Sequence, residues 1–451
     1  MLVISRTSTY FGVACAVALL LAPMAPAQQA GERSSAQDIA RDDEIRELKR
    51  QLGVVVDELD RLRTQMAVPE ELELDSAYGL GPAASKVYGA RRGLSLGGYA
   101  EAVYSNEISD TEGNGQDTAD FLRLVIYTGY KFTDRLLFNA EIEIEHASTS
   151  KEGEVSVEFA SLEYLYRPEL NVRGGLLLLP MGFLNEMHEP PFYYGTHRPE
   201  PERAIIPSTW RENGVGIFGN LGESLSYRAY VVNGLDASDF SSSGLRGGRQ
   251  KGSKSKANDL AFVGRMDFQV TPDLLVGGSY YMGNSGQDQT LSETGLGLDD
   301  ARTTIWEVHG DYQRGPLHIR GLYTEAHVDD ADTLSAQLSA EATAVAGSMK
   351  TIVVAERMIG GYGEIGYDLM QLLSPGTEKS LTPFFRFEYL DTQNDVPSGF
   401  TRDRTKPRRL YIPGIQFMPH PNVVLKLDYR NIAPFSGNAA DQLNIGMGLV
   451  F

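Results

Sequence analysis

From residue 93 onward the apolar positions of the chain recur every second residue. In "LLFNAEIEIEH", Leu136, Phe138, Ala140, Ile142 and Ile144 alternate with Asn139, Glu141, Glu143 and Glu145. In "TIWEVHGDYQ", Trp306, Val308 and Tyr312 alternate with Glu307, His309, Asp311 and Gln313. "PFFRFEYL", "NVVLKLDYRN" and the final "DQLNIGMGLVF" keep the same rhythm. A period of two belongs to a strand with two unlike faces. The pattern predicts strands near 93–104, 120–131, 135–146, 154–167, 170–182, 213–220, 224–233 and 260–270. It predicts as many again near 273–283, 303–313, 317–327, 358–371, 380–390, 408–418, 422–431 and 441–451. Short connections such as "FTD", "LGES", "RGP" and "PHP" alternate with long ones at 105–119, 183–212, 234–259, 284–302, 328–357, 391–407 and 432–440. One apolar and one charged face, with short turns at one end and long loops at the other, predict an all-β fold. The expected form is a transmembrane antiparallel β-barrel of about 16 strands. An even strand count puts both barrel termini at the short-turn end.

Before residue 93 the period changes. Ile45, Leu48, Leu52, Val55, Leu59, Leu62 and Met66 are spaced alternately three and four apart, a heptad seam. Glu44 with Lys49 and Glu58 with Arg63 flank it with complementary charge. A lone helix of this length is marginal in water, so 28–68 is expected to be a self-associating coiled coil. Pro69 ends it, and 69–92 reads as a linker to the barrel at 93–451. At the start of the chain, Arg6, the apolar "FGVACAVALLLA" and the small-residue "APA" have the layout of a secretory signal peptide over 1–27.

Composition narrows the function. The formal net charge of −19 argues against a nucleic-acid partner. Cys15, inside the signal, is the single cysteine, which excludes a disulfide scaffold and thiolate metal ligands from the rest of the chain. The 22 Tyr and 18 Phe against two Trp suit aromatic girdles at membrane interfaces. No G-x-S-x-G, H-E-x-x-H or phosphate-binding glycine loop is present, and His188 and His197 match no metal spacing. No enzyme activity, cofactor or metal is therefore expected.

The chemistry expected of such a barrel is the charge on its inward faces. Alternation assigns Arg123, Arg228, Arg265, Arg320, Arg386, Lys426 and Arg430 inward, with Glu141, Glu143, Glu145, Asp267, Glu307, Asp311, Glu388 and Asp428. The glutamate trio is either a balanced wall or a cation-favouring stripe. The connection at 183–212 is long, and rich in proline, aromatics and both charge signs, the profile of a functional loop. A basic run, Arg246, Arg249, Lys251, Lys254 and Lys256, reads as a solvated loop able to meet lipopolysaccharide phosphates. "GGLLLLPMG" (174–182) is an anomaly, a strand apolar on both faces. Its inward leucines are expected to lie under Phe192, Tyr193, Tyr194 and Trp210 of the 183–212 connection.

The last strand, ending on Phe451, resembles that of Gram-negative outer-membrane barrel proteins, whose terminal aromatic residue is read by the barrel-assembly machinery. The segment "VRGGLLLLPMGFLNEMHEPP", followed by "IIPSTWRENGVGIFG", resembles the phosphate-selective porin O/P family, with Pro180, Met181, Gly182 and Phe183 at its characteristic turn. The resemblance implies a homotrimeric outer-membrane porin with periplasmic termini, in contact with lipid and lipopolysaccharide. In general porins the third outer loop folds inward. By that analogy Glu186, Glu189, Arg198, Glu200, Glu202, Arg203, Trp210 and Arg211 would line a constriction. Leu178 stands where members often carry lysine, a departure that weakens the case for phosphate selectivity. The expected function is passive diffusion of small hydrophilic solutes and ions. The alternatives are a phosphate or polyphosphate channel and, from another class, an outer-membrane hydrolase such as a protease or phospholipase.

Overall fold

The computed structural model describes residues 45–58, 75–108, 116–148 and 153–451. The chain divides into two compact units, Met1–Arg63 and Thr64–Phe451. In the first, helix α1 spans 45–58. Ile45, Leu48, Leu52 and Val55 are all exposed on it, and Arg50 pairs with Glu47 one turn away at 2.7 Å. Leu59, Leu62 and Met66 of the seam, the flanking Glu44 and Arg63, and the signal segment lie outside the described residues.

The second unit is a ring of strands. Its first half comprises β1 Gly93–Glu107, β2 Thr118–Lys131, β3 Leu136–Glu145, β4 Val155–Arg167, β5 Leu170–Leu178, β6 Arg211–Leu221, β7 Leu225–Asn233 and β8 Leu260–Thr271. Its second half comprises β9 Leu274–Gly283, β10 Thr303–Arg314, β11 Leu317–Val328, β12 Arg357–Tyr367, β13 Ser380–Asp395, β14 Arg408–His420, β15 Val423–Pro434 and β16 Gln442–Val450. Each pairs antiparallel with its sequence neighbour, and β1 pairs with β16 to close the barrel. Closure runs to the last residue: Phe451 N–H donates to Gly98 O and Gly98 N–H to Phe451 O, both at 2.9 Å.

The alternation sorts as a lipid solvent requires. Ile126, Ile142, Val172, Ile217, Phe262, Val308, Ile365, Phe385, Leu427 and Ile445 are exposed on the outer face, while Glu141, Asp267, Glu307, Arg386 and Asp428 are buried on the inner one. That inverts a soluble barrel and makes this a transmembrane one.

Four details depart from expectation. β5 stops at Leu178 rather than 182: Pro180 has no N–H to continue the ladder, and Gly182 turns the chain at φ +65°. Arg211, expected in the loop, is the first residue of β6. The β12–β13 connection, at the short-turn end, carries a helical turn, Met370–Leu373. The stretch read as a linker also folds: α2, Pro82–Gly89, starts on a proline at its first turn, where the missing N–H costs nothing. Its Ala83, Ala84, Ser85 and Val87 are buried against inward side chains. Two further helices lie in connections at the long-loop end, α3 Glu200–Ala204 and α4 Ala331–Ala346.

Candidate functional site: the barrel interior

The β5–β6 connection crosses the interior, and its backbone and side chains are met by charged groups around the ring. On β13, Arg386 donates to the carbonyls of Tyr194 (2.6 Å) and His197 (2.8 Å). Lys426 on β15 donates to Tyr193 O and Gly195 O at 2.9 and 2.8 Å, and Asp428 accepts from Thr196 N–H at 2.6 Å. Arg320 on β11 donates to Phe192 O at 2.9 Å and lies over the Phe183 and Phe192 rings. Arg265 on β8 donates to Gly182 O. On the opposite wall Tyr193 donates to Glu101 at 2.6 Å, and His188 meets Glu141 at 3.0 Å.

The sequence-assigned inward residues are all on the inner face, but most do not face open water. Of that set only Arg123, Glu145 and Asp311 escape full burial. Of the rest, Lys426 and Asp428 hold the connection by hydrogen bonds, and the others form ion pairs. Arg228 pairs with Glu186 at 3.3 Å and with Asp267, and Arg265 pairs with Asp267 at 2.8 Å. His309 bridges Asp267 and Glu307, both at 2.8 Å. Arg386 pairs with Glu388 at 2.8 Å, and Arg430 with Glu200 at 3.2 Å. Alternation finds a face, but it cannot tell that a distant loop will cover that face.

Sequence reasoning passed over Glu101, Glu158, Glu163 and Glu364. All four are buried inward carboxylates. Glu163 pairs with Arg173 at 3.3 Å and Glu158 with Arg211 at 2.6 Å. The signal was available: "YAEAVY", "SLEYLY" and "GYGEIGY" carry the same period of two. Including them tips the inner charge toward acid.

Among the expected loop residues, Glu186, Glu189 and Glu202 are buried, as is Trp210. Glu202 accepts from Leu184 N–H and Tyr362 Oη, both at 2.7 Å. Glu200 accepts from Arg408 and Arg430. Burial opposes its charge, yet Arg408, Arg203 and Arg430 bring it down to about 2. Arg198 donates to Thr209 Oγ1 at 3.4 Å, and Arg203 is exposed. Burial pushes Glu189 up to about 7 and His188 down to about 3.

Leu177 and Leu179 pack with Trp210, Tyr193 and Phe183 of the connection, while Leu178 joins Leu80 and the α2 residues Ala83 and Ala84. The leucine run thus separates two fillings of the lumen. Arg246 and Arg249, expected in a solvated loop, turn toward the same connection instead. Arg246 donates to Ser208 O, and Arg249 to Pro207 O at 3.2 Å and to Thr209 O. Burial draws Arg246 down to about 9. Lys251 and Lys256 pair with Glu154 and Asp236, and Lys254 is exposed.

A cavity of about 570 Å³ remains. It runs from Pro272 and Asp273 at a short turn, past Arg228, Arg265 and Asp311, to Phe183, Phe192 and Arg320. Among the described residues no group of three His, Cys, Asp or Glu converges as a metal site.

No protein-family model matches the chain. Among solved structures, it is similar to Salmonella typhi OmpF in complex with daunomycin (TM-score 0.49, 13% identity, 80% of this chain and 98% of that one). It is also similar to an anion-selective porin from Comamonas acidovorans (TM-score 0.47, 10% identity, 79% and 99%). A protein of Aquifex aeolicus (strain VF5), described as uncharacterized, is 38% identical over 375 residues, 82% of each chain. Agreement at that level over most of both sequences places this transmembrane barrel and the Aquifex aeolicus protein in one family.

Proposed function

We propose that the barrel is an outer-membrane porin: a passive channel for small hydrophilic solutes and ions, with both termini on the periplasmic side. The observation that carries this reading is the interior of a closed 16-strand ring, lined by ionisable side chains, with an apolar exterior. Ionisable side chains facing the interior of a membrane protein mark, by default, a path or site for something polar. The β5–β6 connection is the size-limiting element, tied to β8, β11, β13 and β15 by the bonds above. The arginines along the remaining cavity are neutralised by carboxylates: Arg228 and Arg265 by Asp267, Arg320 by Asp311 at 2.9 Å. With the extra inward glutamates, this favours weak cation preference over phosphate selectivity of the O/P type. The exposed seam of α1 supports a trimer held by a coiled coil, since four apolar side chains on one helix are costly to leave in water.

Purified protein in a planar bilayer should give ohmic steps, with a reversal potential of cation sign in a salt gradient. Absence of conductance would overturn the channel reading, and a clear anion preference would restore the phosphate alternative. Changing Leu48 and Leu52 to Glu should dissociate the oligomer in sedimentation. An unchanged trimer would remove the coil from the account.

A further inference from the structure

We propose that residues 75–92 are a displaceable plug: docked, they close the β1–β5 side of the lumen and confine passage to the cavity along β7–β11; undocked, they open a wider state. The proposal rests on the channel reading above.

α2 has eight residues, too few to hold helical form alone in water. Docking therefore supplies its order. Ala83 and Ala84 share a buried cluster with Tyr99, Val125 and Tyr127, and Val87 is buried against Gly129. The polar ties come from the wall and the crossing connection. Asn139 donates to Ala84 O and Lys131 to Tyr88 O, both at 2.9 Å. Tyr88 Oη donates to Glu163 at 2.9 Å and accepts from Arg173 at 3.2 Å. Glu189 accepts from Ala83 N–H at 3.0 Å.

These contacts differ in kind from those of the barrel. They are a few hydrogen bonds, the burial of Leu80, Ala83, Ala84 and Val87, and the edge contacts of the Tyr78 ring with Tyr88 and Phe218, with no ladder to β1–β5. Only three residues, 90–92, join α2 to β1. A released plug stays tethered beside its seat and rebinds at high effective concentration. The seat is shaped for it: a Cβ at Gly129, on the inner face of β2, would lie 2.5 Å from Cβ of Val87. The turn before α2 reaches the other side of the lumen, where Ser76 and Gly79 line the cavity. The segment is therefore at once a wall of the narrow passage and the filling of the wider one.

The test uses the full chain and two variants that spare the strand ladder. Gly129→Leu fills the seat, and Val87→Asp puts a charge where an apolar group is buried. Each is read by single-channel conductance and by amide hydrogen exchange over 82–89. The expected result is exchange at least tenfold faster in both variants, with a main conductance at least twofold above the parent. If exchange rises but conductance equals that of a conducting parent, the plug reading falls and the porin reading stands. If none of the three proteins conducts, the porin reading falls and takes the plug with it. Exchange unchanged in both variants would also overturn the proposal, since the seat would then not be what holds the helix.

Discussion

Arg386 is the deepest anchor of the crossing connection, and replacing it with methionine tests how that connection is held. The side chain is fully buried on β13. It donates to Glu388 at 2.8 Å and to the carbonyls of Tyr194 and His197, and lies 3.8 Å from Glu364. Removing one member of a buried ion pair costs about 3–5 kcal/mol, and a hydrogen bond to a charged group is worth about 1.5–3 kcal/mol. These terms overlap and do not add. Water can also enter a polar lumen and satisfy the freed carbonyls. A loss of about 3 kcal/mol in the seating of 194–197 is the working value. That is roughly two decades in the seated-to-lifted equilibrium. A lifted state populated at about 0.1% would rise to about 10%. In Arg386→Met, single-channel records should show frequent brief openings above the parent level, and amides of 194–197 should exchange about a hundredfold faster. Unshifted gel mobility, folded against heated, would establish that the barrel itself is intact. Parental open times together with parental exchange would refute the anchor.

Gly175 sits in β5 at φ +138°, and a Cβ there would come within 2.3 Å of Ala160 O. Gly175→Ala should lower barrel stability by about 1–3 kcal/mol, read as an earlier denaturant midpoint. Deleting Phe451 removes both bonds of the closing pair with Gly98, so a smaller fraction should run as compact barrel on unheated gels. At the long-loop end, Glu341 of α4 accepts from Glu293 N–H, Thr294 N–H, Thr294 Oγ1 and Ser292 Oγ at 2.9–3.0 Å. The bond from Glu293 N–H leads these in holding its carboxyl down to about 2. A depressed carboxyl stabilises fully above its ordinary value and loses that effect as pH falls through the folded one. Protection of amides 293–294, taken against their intrinsic exchange at each pH, should therefore fall from about pH 4.5 toward pH 2. Glu341→Ala should abolish that pH dependence.

The strands were legible because two solvents write on them at once. Lipid outside and charge inside impose a period of two that sixteen segments repeat, and even the modest "LLFNAEIEIEH" declares both faces. What fills the barrel was legible only in part. The 183–212 connection stood out by its length and aromatics, and a leucine run with no other cover pointed to burial beneath it, though not to which leucines; they are Leu177 and Leu179. α2 was not legible: "PAASKVYG" is too short for a helical period and too small-sided for an apolar stripe. Its helix is made by Gly129, Asn139 and Glu189, none of them near it in sequence. Arg246 and Arg249 were misread for a related reason. A run of basic residues looks solvated until carbonyls of another loop, Ser208 O and Thr209 O, accept from it.

The bonds that seat the crossing connection also bear on the order in which the molecule can be made. Thr196 and Asp428 are 232 residues apart in the chain, and Tyr193 and Lys426 are 233 apart. Contacts so distant in sequence carry a large loop-closure entropy and form late. The segment leaves the sheet after the fifth strand, yet its strongest partners arrive on the thirteenth and fifteenth. It must wait, with its aromatic residues uncovered, while eight or more strands are added, and it must be inside the ring before β16 meets β1. The slow step in assembling this protein should then be the capture of an interior segment at the moment of closure, rather than the pairing of any two strands.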